Sequence, residues 1–426
     1  MSVNKQRAWD NLTKLSFERV TGTSAEVKAA GMILEECEKA GVEAHLEEYE
    51  IEMPVITKAS FVVEEPEYKE YHVIGIGKSA ITPEEGIEAG FVYVENGMDA
   101  NLVDVKGKVV LVQGRTAPDF YEKLAKRGAV AYMTMHGDFY DDPSLIPELR
   151  PRNAWGSTEG LPGLVVHIGD AERIVRSHPT KVKIVLQGDY ERKGTSHNVV
   201  ATIEGSEIKD EIIAFSAHYD SVPYSPGAWD NMTGSITIME LMHHFKENPP
   251  KRTCKFIWCG SEEIGLVGSR KYCEMHKDEL KDYMFNINFD MTGVTLGYEH
   301  CRVAASKEVE DGIKFLAKSV GYPVETKQGM YSSDSSSFAS AGVPACTFAR
   351  LQPRGGAVIH DHRDTMDHLD PDAFMITLNF VVQYGDLLAN APVRMIPRDF
   401  GPEMTKQLEE HKKFMEKMMK KKEEKK

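Results

Sequence analysis

The segment Ile212-Ile-Ala-Phe-Ser-Ala-His-Tyr-Asp220 carries an apolar, β-prone run that ends directly on a histidine and an aspartate. Two further apolar runs end in the same way on potential metal ligands: 255–259 before Glu262 and Glu263, and 284–289 before Asp290. The carboxyl ends of parallel strands share one edge of an open α/β sheet, and ligands bind at that edge. The three segments therefore predict a sheet that gathers a histidine and several carboxylates in one place.

Strands and helices alternate around these segments, which is typical of a doubly wound α/β domain. The predicted strands are 198–203, 212–217, 255–259, 284–289 and 345–348, and the predicted helices are 232–246, 309–320 and 371–389. Helical spacing also runs from Ala8 to Ala40, with a capped start at Thr23 and an end at Gly41. We predict an α/β fold, a doubly wound mixed sheet with helices on both faces.

The region 54–190 has a different pattern, with short β-rich runs separated by Gly, Pro and acidic turns. We interpret it as an inserted β-rich domain. The predicted catalytic domain then comprises 1–53 and 191–400, and 401–426 is a lysine-rich helical tail to which the sequence assigns no function.

Composition narrows the classes of partner. Lys and Arg total 51 against 66 Asp and Glu, a formal net charge of −15, which argues against nucleic acid as a partner.

No window approaches the ~20 apolar residues of a membrane span, and the first residues lack a secretory signal pattern, so we expect a cytoplasmic protein. The six cysteines are scattered, as expected for reduced thiols. A homo-oligomer is compatible with the sequence, which does not specify one.

Two more segments extend the candidate site. Asp230 lies just before a predicted helix, and both His360 and His362 follow the last predicted strand. Each signal has an ordinary alternative: Asp230 could only cap its helix, the glutamate pair could begin an exposed helix, and His218 could be a hydrogen-bonded core histidine. Together, however, clustered carboxylates repel one another unless cations hold them.

The donor types indicate which cations these are. Imidazole with carboxylate suits zinc, and thiolates are absent from the candidate set. If Asp230, Glu263 and Asp290 supply three negative charges, two Zn²⁺ ions leave the site near neutral, so two metals fit better than one. Glu262 is then free to act as a base.

Five motifs, in this order, resemble the site motifs of the co-catalytic di-zinc exopeptidases, the family of bacterial leucyl aminopeptidase and plasma glutamate carboxypeptidase. They are Ala217-His-Tyr-Asp-Ser221, Gly227-Ala-Trp-Asp-Asn231, Gly260-Ser-Glu-Glu-Ile-Gly-Leu-Val-Gly-Ser269, Asn288-Phe-Asp-Met-Thr292, and Ile359-His-x-x-x-Asp-Thr365. The run Val105-Lys-Gly-Lys-Val-Val-Leu-Val112 and the helical segment after it resemble the protease-associated domain that many members carry as an insert.

Carried over by motif, the resemblance implies two zinc sites that share Asp230. His218 and Asp290 would complete one site, and Glu263 and His360 the other; the family spacing selects His360 over His362. Glu262 would be the general base, and Asp220 would orient the His218 imidazole. This chain departs from the family pattern at Ser333-Asp334-Ser335, where members often have Ser-Asp-His, and Tyr331 matches an oxyanion-stabilising tyrosine only in a shifted register.

The resemblance implies a zinc-dependent exopeptidase acting on peptides. We expect an aminopeptidase that removes N-terminal residues through a di-zinc-bridged water with Glu262 as base. The alternative is a carboxypeptidase or dipeptidase that anchors the substrate carboxylate, for which Arg350, Arg354 and Arg363 are candidates. A metal-free binding protein and a glutaminyl cyclase-like transferase on the same fold are further alternatives.

Overall fold

The computed structural model describes residues 3–77, 79–113, 120–140, 142–146 and 160–423, and the side chains of the last helix as far as residue 413. The chain divides into two compact units, one comprising 1–51 and 195–414, the other 52–194 and 415–426. Of the predicted tail, 401–426, the last three residues lie outside the described ranges. None of the helices in the described ranges is long and apolar enough to cross a membrane.

The elements are numbered in chain order. The helices are α1 (Lys5–Leu15), α2 (Ser24–Lys39), α3 (Phe120–Lys126), α4 (Ile168–Arg176), α5 (Thr233–Glu247), α6 (Val267–Met275), α7 (Lys307–Val320), α8 (Ser335–Ser340), α9 (Pro371–Asn390) and α10 (Gly401–Glu423). The strands are β1 (Ala44–Glu52), β2 (Val55–Glu65), β3 (Lys69–Tyr71), β4 (Val73–Gly75), β5 (Ile87–Tyr93), β6 (Lys108–Val112), β7 (Ala131–His136), β8 (Gly163–His167), β9 (Lys181–Asp189), β10 (Lys193–Ile203), β11 (Ile208–His218), β12 (Arg252–Cys259), β13 (Tyr283–Phe289), β14 (Tyr298–Ala304), β15 (Glu325–Gln328) and β16 (Ala345–Leu351).

The first unit is built on an eight-stranded mixed sheet in the order β1-β10-β12-β11-β13-β16-β14-β15. Strands β12, β11, β13 and β16 run parallel to one another, whereas β10 and β14 are antiparallel to their neighbours β12 and β16. The carboxyl ends of the four parallel strands consequently lie together at one edge of the sheet. The predicted fold class, a mixed α/β sheet with a second β-rich region, is confirmed.

Helices cover both faces of this sheet. Phe215 of β11 packs in a cluster with Leu12 of α1 and Met239 of α5, whereas the preceding Ala214 packs with Tyr272 of α6 on the opposite face. Successive strand residues point to opposite faces, so a strand covered on both sides is apolar throughout. This double burial explains why the central strands have continuous apolar runs without alternation.

The second unit is a separate β-rich body. Its eight strands have the order β3-β2-β9-β5-β6-β7-β8-β4, and β5 to β8 run parallel. Helix α3 connects the parallel strands β6 and β7, which is a βαβ crossover. The unit has its own buried core, which includes Phe61, Val109 and Ile184.

Candidate metal centre

Strand β11 places His218 at the sheet edge, where its ring is almost fully buried among carboxylates. The His218 Nε2 atom lies 3.2 Å from Asp230 Oδ1 and 3.8 Å from Asp290 Oδ1. Asp290 directly follows β13, the strand next to β11. Three residues that are far apart in the sequence thus meet as the parallel strands predict.

A second histidine contacts the other side of the same aspartate. His360 Nε2 lies 2.9 Å from Glu263 Oε2 and 3.2 Å from Asp230 Oδ2. His362 lies elsewhere, with its Nδ1 atom 3.3 Å from Asp361 Oδ1. Asp230 therefore points one carboxylate oxygen at each of the two histidines.

The loop that carries Asp230 is held by Asp364 and Asn231. The Asp364 carboxylate accepts hydrogen bonds from the backbone amides of Trp229 and Asp230 at 2.7 and 3.0 Å. Asn231 Oδ1 accepts from the amide of Gly234 in the first turn of α5 at 3.0 Å. Because Asn231 supplies this contact, the Asp230 carboxylate is not used as a helix cap and remains directed at the histidines.

Asp220 fixes the glutamate pair through its backbone. One carboxylate oxygen of Asp220 accepts from the Glu262 amide at 3.0 Å, and the other accepts from the Glu263 amide at 3.2 Å and from Thr21 Oγ1 at 2.8 Å. His218 Nδ1 is 3.6 Å from the Asp220 carboxylate, beyond hydrogen-bond distance, and 3.3 Å from its carbonyl oxygen. The orientation of His218 by this carboxylate stays a prediction.

The electrostatics follow from burial and crowding. Desolvation raises the pKa of Glu262 well above its ordinary value; His218 opposes this shift, and the carboxylates of Glu263, Asp334 and Asp290 add to it. Desolvation and the nearby Asp230 also raise the pKa of Glu263, to about 7. Burial alone would lower the pKa of His218, but the surrounding carboxylates raise it well above its usual range. The cluster thus contains more carboxylates than cationic groups, an arrangement that favours binding of a cation.

Asp334 and Tyr331 belong to the segment in which this chain departs from the family pattern, and their charges and burial bear on the candidate metal centre. Asp334 is fully buried, neither of its carboxylate oxygens has a hydrogen-bond partner among the described residues, and burial raises its pKa to about 6. Tyr331 is half-buried; burial raises its pKa, and Asp290 and Asp230 raise it further. The phenol of Tyr331 therefore lies within electrostatic reach of the candidate ligands.

Arg19 is a positioning residue that sequence reasoning missed. Its guanidinium is completely buried and donates to the carbonyl oxygens of Tyr219, Pro226 and Gly227 at 2.6, 2.6 and 2.9 Å. These carbonyls belong to the segment 219–232, which connects β11 to α5, begins directly after His218 and contains Asp230. The N-terminal segment thereby ties the two ends of this connection together, and no local pattern around Arg19 indicates this role.

Two of the three arginines predicted as a carboxylate clamp have internal partners. Arg350 Nη1 donates to the buried Glu299 at 2.8 Å, and its Nε donates to the Val294 carbonyl at 2.7 Å. Arg363 makes a forked contact with Asp361, at 2.8 and 3.1 Å. Both guanidiniums are therefore committed to the protein itself.

The residues present fit a bound metal. Ligand atoms of His218, Asp230 and Glu263 all lie within 4.8 Å of one another, as do those of His218, Glu262 and Asp290. Buried carboxylate oxygens of Glu263 and Asp290 have no hydrogen-bond partner among the described residues, so they keep free lone pairs. Two imidazoles with several carboxylates form a donor set that suits zinc.

The comparisons with known proteins agree with this geometry. Residues 198–384 match the model of peptidase family M28. Aminopeptidase YwaD of Bacillus subtilis is 26% identical over 424 residues, an alignment that covers 94% of this chain and 87% of that protein. Human carboxypeptidase Q is 25% identical, with 83% of this chain and 78% of that protein covered.

The fold is also found among solved structures. The structure of BSAP, a zinc aminopeptidase from Bacillus subtilis, has a TM-score of 0.79 and 23% identity and covers 93% of this chain and 98% of that chain. At this identity the likeness establishes a shared fold, and both units of the present chain fall within the matched length.

Proposed function

This chain belongs to peptidase family M28, and from that premise we propose that it is a di-zinc aminopeptidase that removes N-terminal residues from peptides. The observation that carries the proposal is the position of Asp230 between His218 and His360, with one carboxylate oxygen facing each ring. A carboxylate in that position can serve two cations at once.

We assign the ligands by these contacts. The first zinc would be held by His218, Asp290 and Oδ1 of Asp230, and the second by Glu263, His360 and Oδ2 of Asp230. The three carboxylates supply three negative charges against four on the two cations. Two cations would offset both the burial of these carboxylates and the repulsion between them, the two effects that raise the pKa of Glu263.

Bound zinc supplies Lewis acidity, which acidifies water and polarises the scissile carbonyl. Glu262 would accept the proton of the attacking water and deliver it to the leaving amine, because its carboxylate lies within 4.8 Å of Asp290 and remains over once the three carboxylates above are assigned as ligands. Desolvation raises its pKa, and a base with a raised pKa retains the proton long enough to pass it on. Asp220 holds the Glu262 backbone amide and so positions this base.

The preference for an amino terminus rests on the similarity to aminopeptidase YwaD and on the arginines available for a substrate carboxylate. The free α-amine of a peptide would lie at the acidic, metal-lined edge of the sheet. A carboxypeptidase or dipeptidase that anchors the substrate carboxylate on Arg350 or Arg363 is disfavoured, because these two guanidiniums are already bound to Glu299 and Asp361.

The direct test is mass spectrometry of products from two peptide pools incubated with the zinc-loaded protein. One pool is N-acetylated and the other is C-amidated. We expect trimming of the C-amidated pool only, one residue at a time from the amino terminus. Trimming of the N-acetylated pool alone would instead identify a carboxypeptidase, and cleavage of neither pool would refute both.

A further inference from the structure

A polar pair on β14 has no explanation in the proposed chemistry. His300 is 5% exposed, and neither of its ring nitrogens has a hydrogen-bond partner among the described residues. On the same strand, Arg302 has a buried Nε atom without a hydrogen-bond partner in the described part of the chain. Burying unpaired donors costs free energy, so such groups in a native fold call for a ligand.

The strand register places this pair beside the candidate metal centre. Phe289 pairs with Phe348, and the amide of Asp290 donates to the Phe348 carbonyl at 3.0 Å, so Asp290 lies beside Ala349. Ala349 in turn pairs with His300 across the antiparallel β14–β16 ladder. Two strand spacings of about 4.8 Å put the His300 backbone roughly 10 Å from that of Asp290.

These side chains lie on the same face of the sheet. Asn288 Nδ2 contacts Thr347 Oγ1 at 3.3 Å, which shows that those two residues point to one side. Strand residues two apart share a face, and cross-strand partners do too. Asp290, His300 and Arg302 are therefore on the side of Asn288 and Thr347, and Ala349 contributes only a methyl group between Asp290 and His300.

Arg302 is half-buried and packs beside Gly329: a Cβ placed on Gly329 would lie 3.6 Å from Arg302 Cδ, 3.9 Å from its Nη1 and 3.4 Å from Gln407 Oε1. Burial is the main cause of the raised pKa of the Tyr331 phenol; the charge of Asp290 raises this pKa further, and the charge of Arg302 lowers it.

We propose that His300 and Arg302 form a carboxylate-binding subsite beside Asp290, which makes the enzyme favour peptides with an acidic group close to the scissile bond. The inference rests on the proposed aminopeptidase function and names its substrate class. The Arg302 guanidinium can donate two parallel hydrogen bonds, and His300 can donate one more. A carboxylate is the ligand whose oxygens best accept hydrogen bonds from such a set of donors. The carboxylate would come from an acidic side chain or from the carboxyl terminus of a short peptide. Either group, together with the long arginine side chain, can bridge the roughly 10 Å between the backbones of Asp290 and His300.

The experiment uses three matched pairs of peptides: Glu against Gln at the first position, Glu against Gln at the second, and a free against an amidated carboxyl terminus in a tripeptide. We expect the zinc-loaded enzyme to favour the anionic member of at least one pair by ~10-fold or more in kcat/KM. Which pair responds identifies the source of the carboxylate. Ratios near one in all three pairs would overturn the subsite.

Variants test the assignment to Arg302. Arg302→Gln should bring the ratio of kcat/KM for the anionic and neutral peptides to about one, and Arg302→Lys should keep part of the preference. Arg176→Gln removes an equal charge from an exposed position on α4 and should keep the full ratio. A ratio unchanged in Arg302→Gln, or lost in Arg176→Gln, contradicts the proposal.

Calorimetric binding separates this inference from the aminopeptidase proposal. The same peptide pairs are titrated into the Glu262→Gln protein, where turnover does not obscure binding. Tighter binding of the anionic peptide, lost in the Arg302→Gln double variant, supports the subsite even if no peptide is cleaved. Equal binding of both members refutes the subsite even if the enzyme proves to be an aminopeptidase.

Discussion

Replacing Asp220 by Asn tests whether the activity depends on the hydrogen bonds by which Asp220 positions the backbone of Glu262 and Glu263. The carboxylate accepts two backbone amides and the Thr21 hydroxyl. Asparagine keeps one acceptor oxygen and turns an NH₂ group toward an amide that can only donate. The substitution thus removes at least one charge-assisted hydrogen bond and weakens the others.

Each hydrogen bond to a charged acceptor contributes about 1.5–3 kcal/mol, so the loss is about 3 kcal/mol. If the lost free energy is what holds Glu262 in its catalytic position, the rate falls by about 100-fold. Zinc affinity should also fall, by about 10- to 100-fold, because Glu263 is held by the same carboxylate. We therefore expect kcat/KM for leucine p-nitroanilide at saturating zinc to fall by about 100-fold.

Two variants calibrate the result. Thr21→Val removes only the hydroxyl contact to the Asp220 carboxylate, about 1.5 kcal/mol, and should lower kcat/KM by about 10-fold. Asp386→Asn changes another aspartate that pairs with a histidine, His244, at 2.8 Å and should leave the activity unchanged. An Asp220→Asn enzyme within 3-fold of wild type, or one no worse than Thr21→Val, would refute the positioning argument.

The remaining predictions concern the base, the ligands and a buried acid. Glu262→Gln should keep its zinc and lose about 10²–10⁴ in kcat, and near-normal turnover would exclude it as the base. Glu263→Ala and His360→Ala should lower zinc content measured by mass spectrometry, and unchanged stoichiometry would remove either residue from the ligand set. Burial raises the pKa of Glu26 to about 8, so the folded state holds a proton that the unfolded state loses above about pH 4.3, and stability should fall as pH rises toward 8, by at most about 1.4 kcal/mol per unit. Denaturation of Glu26→Gln should show a flatter pH dependence over that range, and an unchanged slope would contradict the assignment.

The ligand edge could be predicted because its signal is local. His218, the pair Glu262 and Glu263, and Asp290 lie at or just after the ends of apolar strands, and parallel strands bring their carboxyl ends together whatever the connecting segments do. The identity of the second histidine could not be chosen from the residues alone, since His360 and His362 are equivalent in local pattern. Only the structure shows that His360 contacts Asp230 and Glu263.

Other features of the fold and of the candidate site are not indicated by any local sequence pattern. Strand β14 reads Tyr-Glu-His-Cys-Arg-Val-Ala and begins without an apolar run; its buried Glu299 accepts hydrogen bonds from Tyr322, Arg350 and Thr377, which are distant in sequence. The part played by Asp364 in holding the Asp230 loop depends on a contact between residues 134 positions apart. Periodicity and propensity describe neighbours in sequence, so they do not reveal such long-range contacts. The cytoplasmic location likewise stays a prediction.

The buried Arg19 determines how this protein can be dissected. Its guanidinium binds carbonyls of residues 219, 226 and 227, and Thr21 binds Asp220, so about fifty amino-terminal residues complete the ligand loops from outside the strands that carry them. A fragment that begins at residue 195 would retain every proposed ligand yet lack this support. A minimal enzyme would instead need the first segment supplied as a separate chain or joined to the second by a short linker in place of the insert.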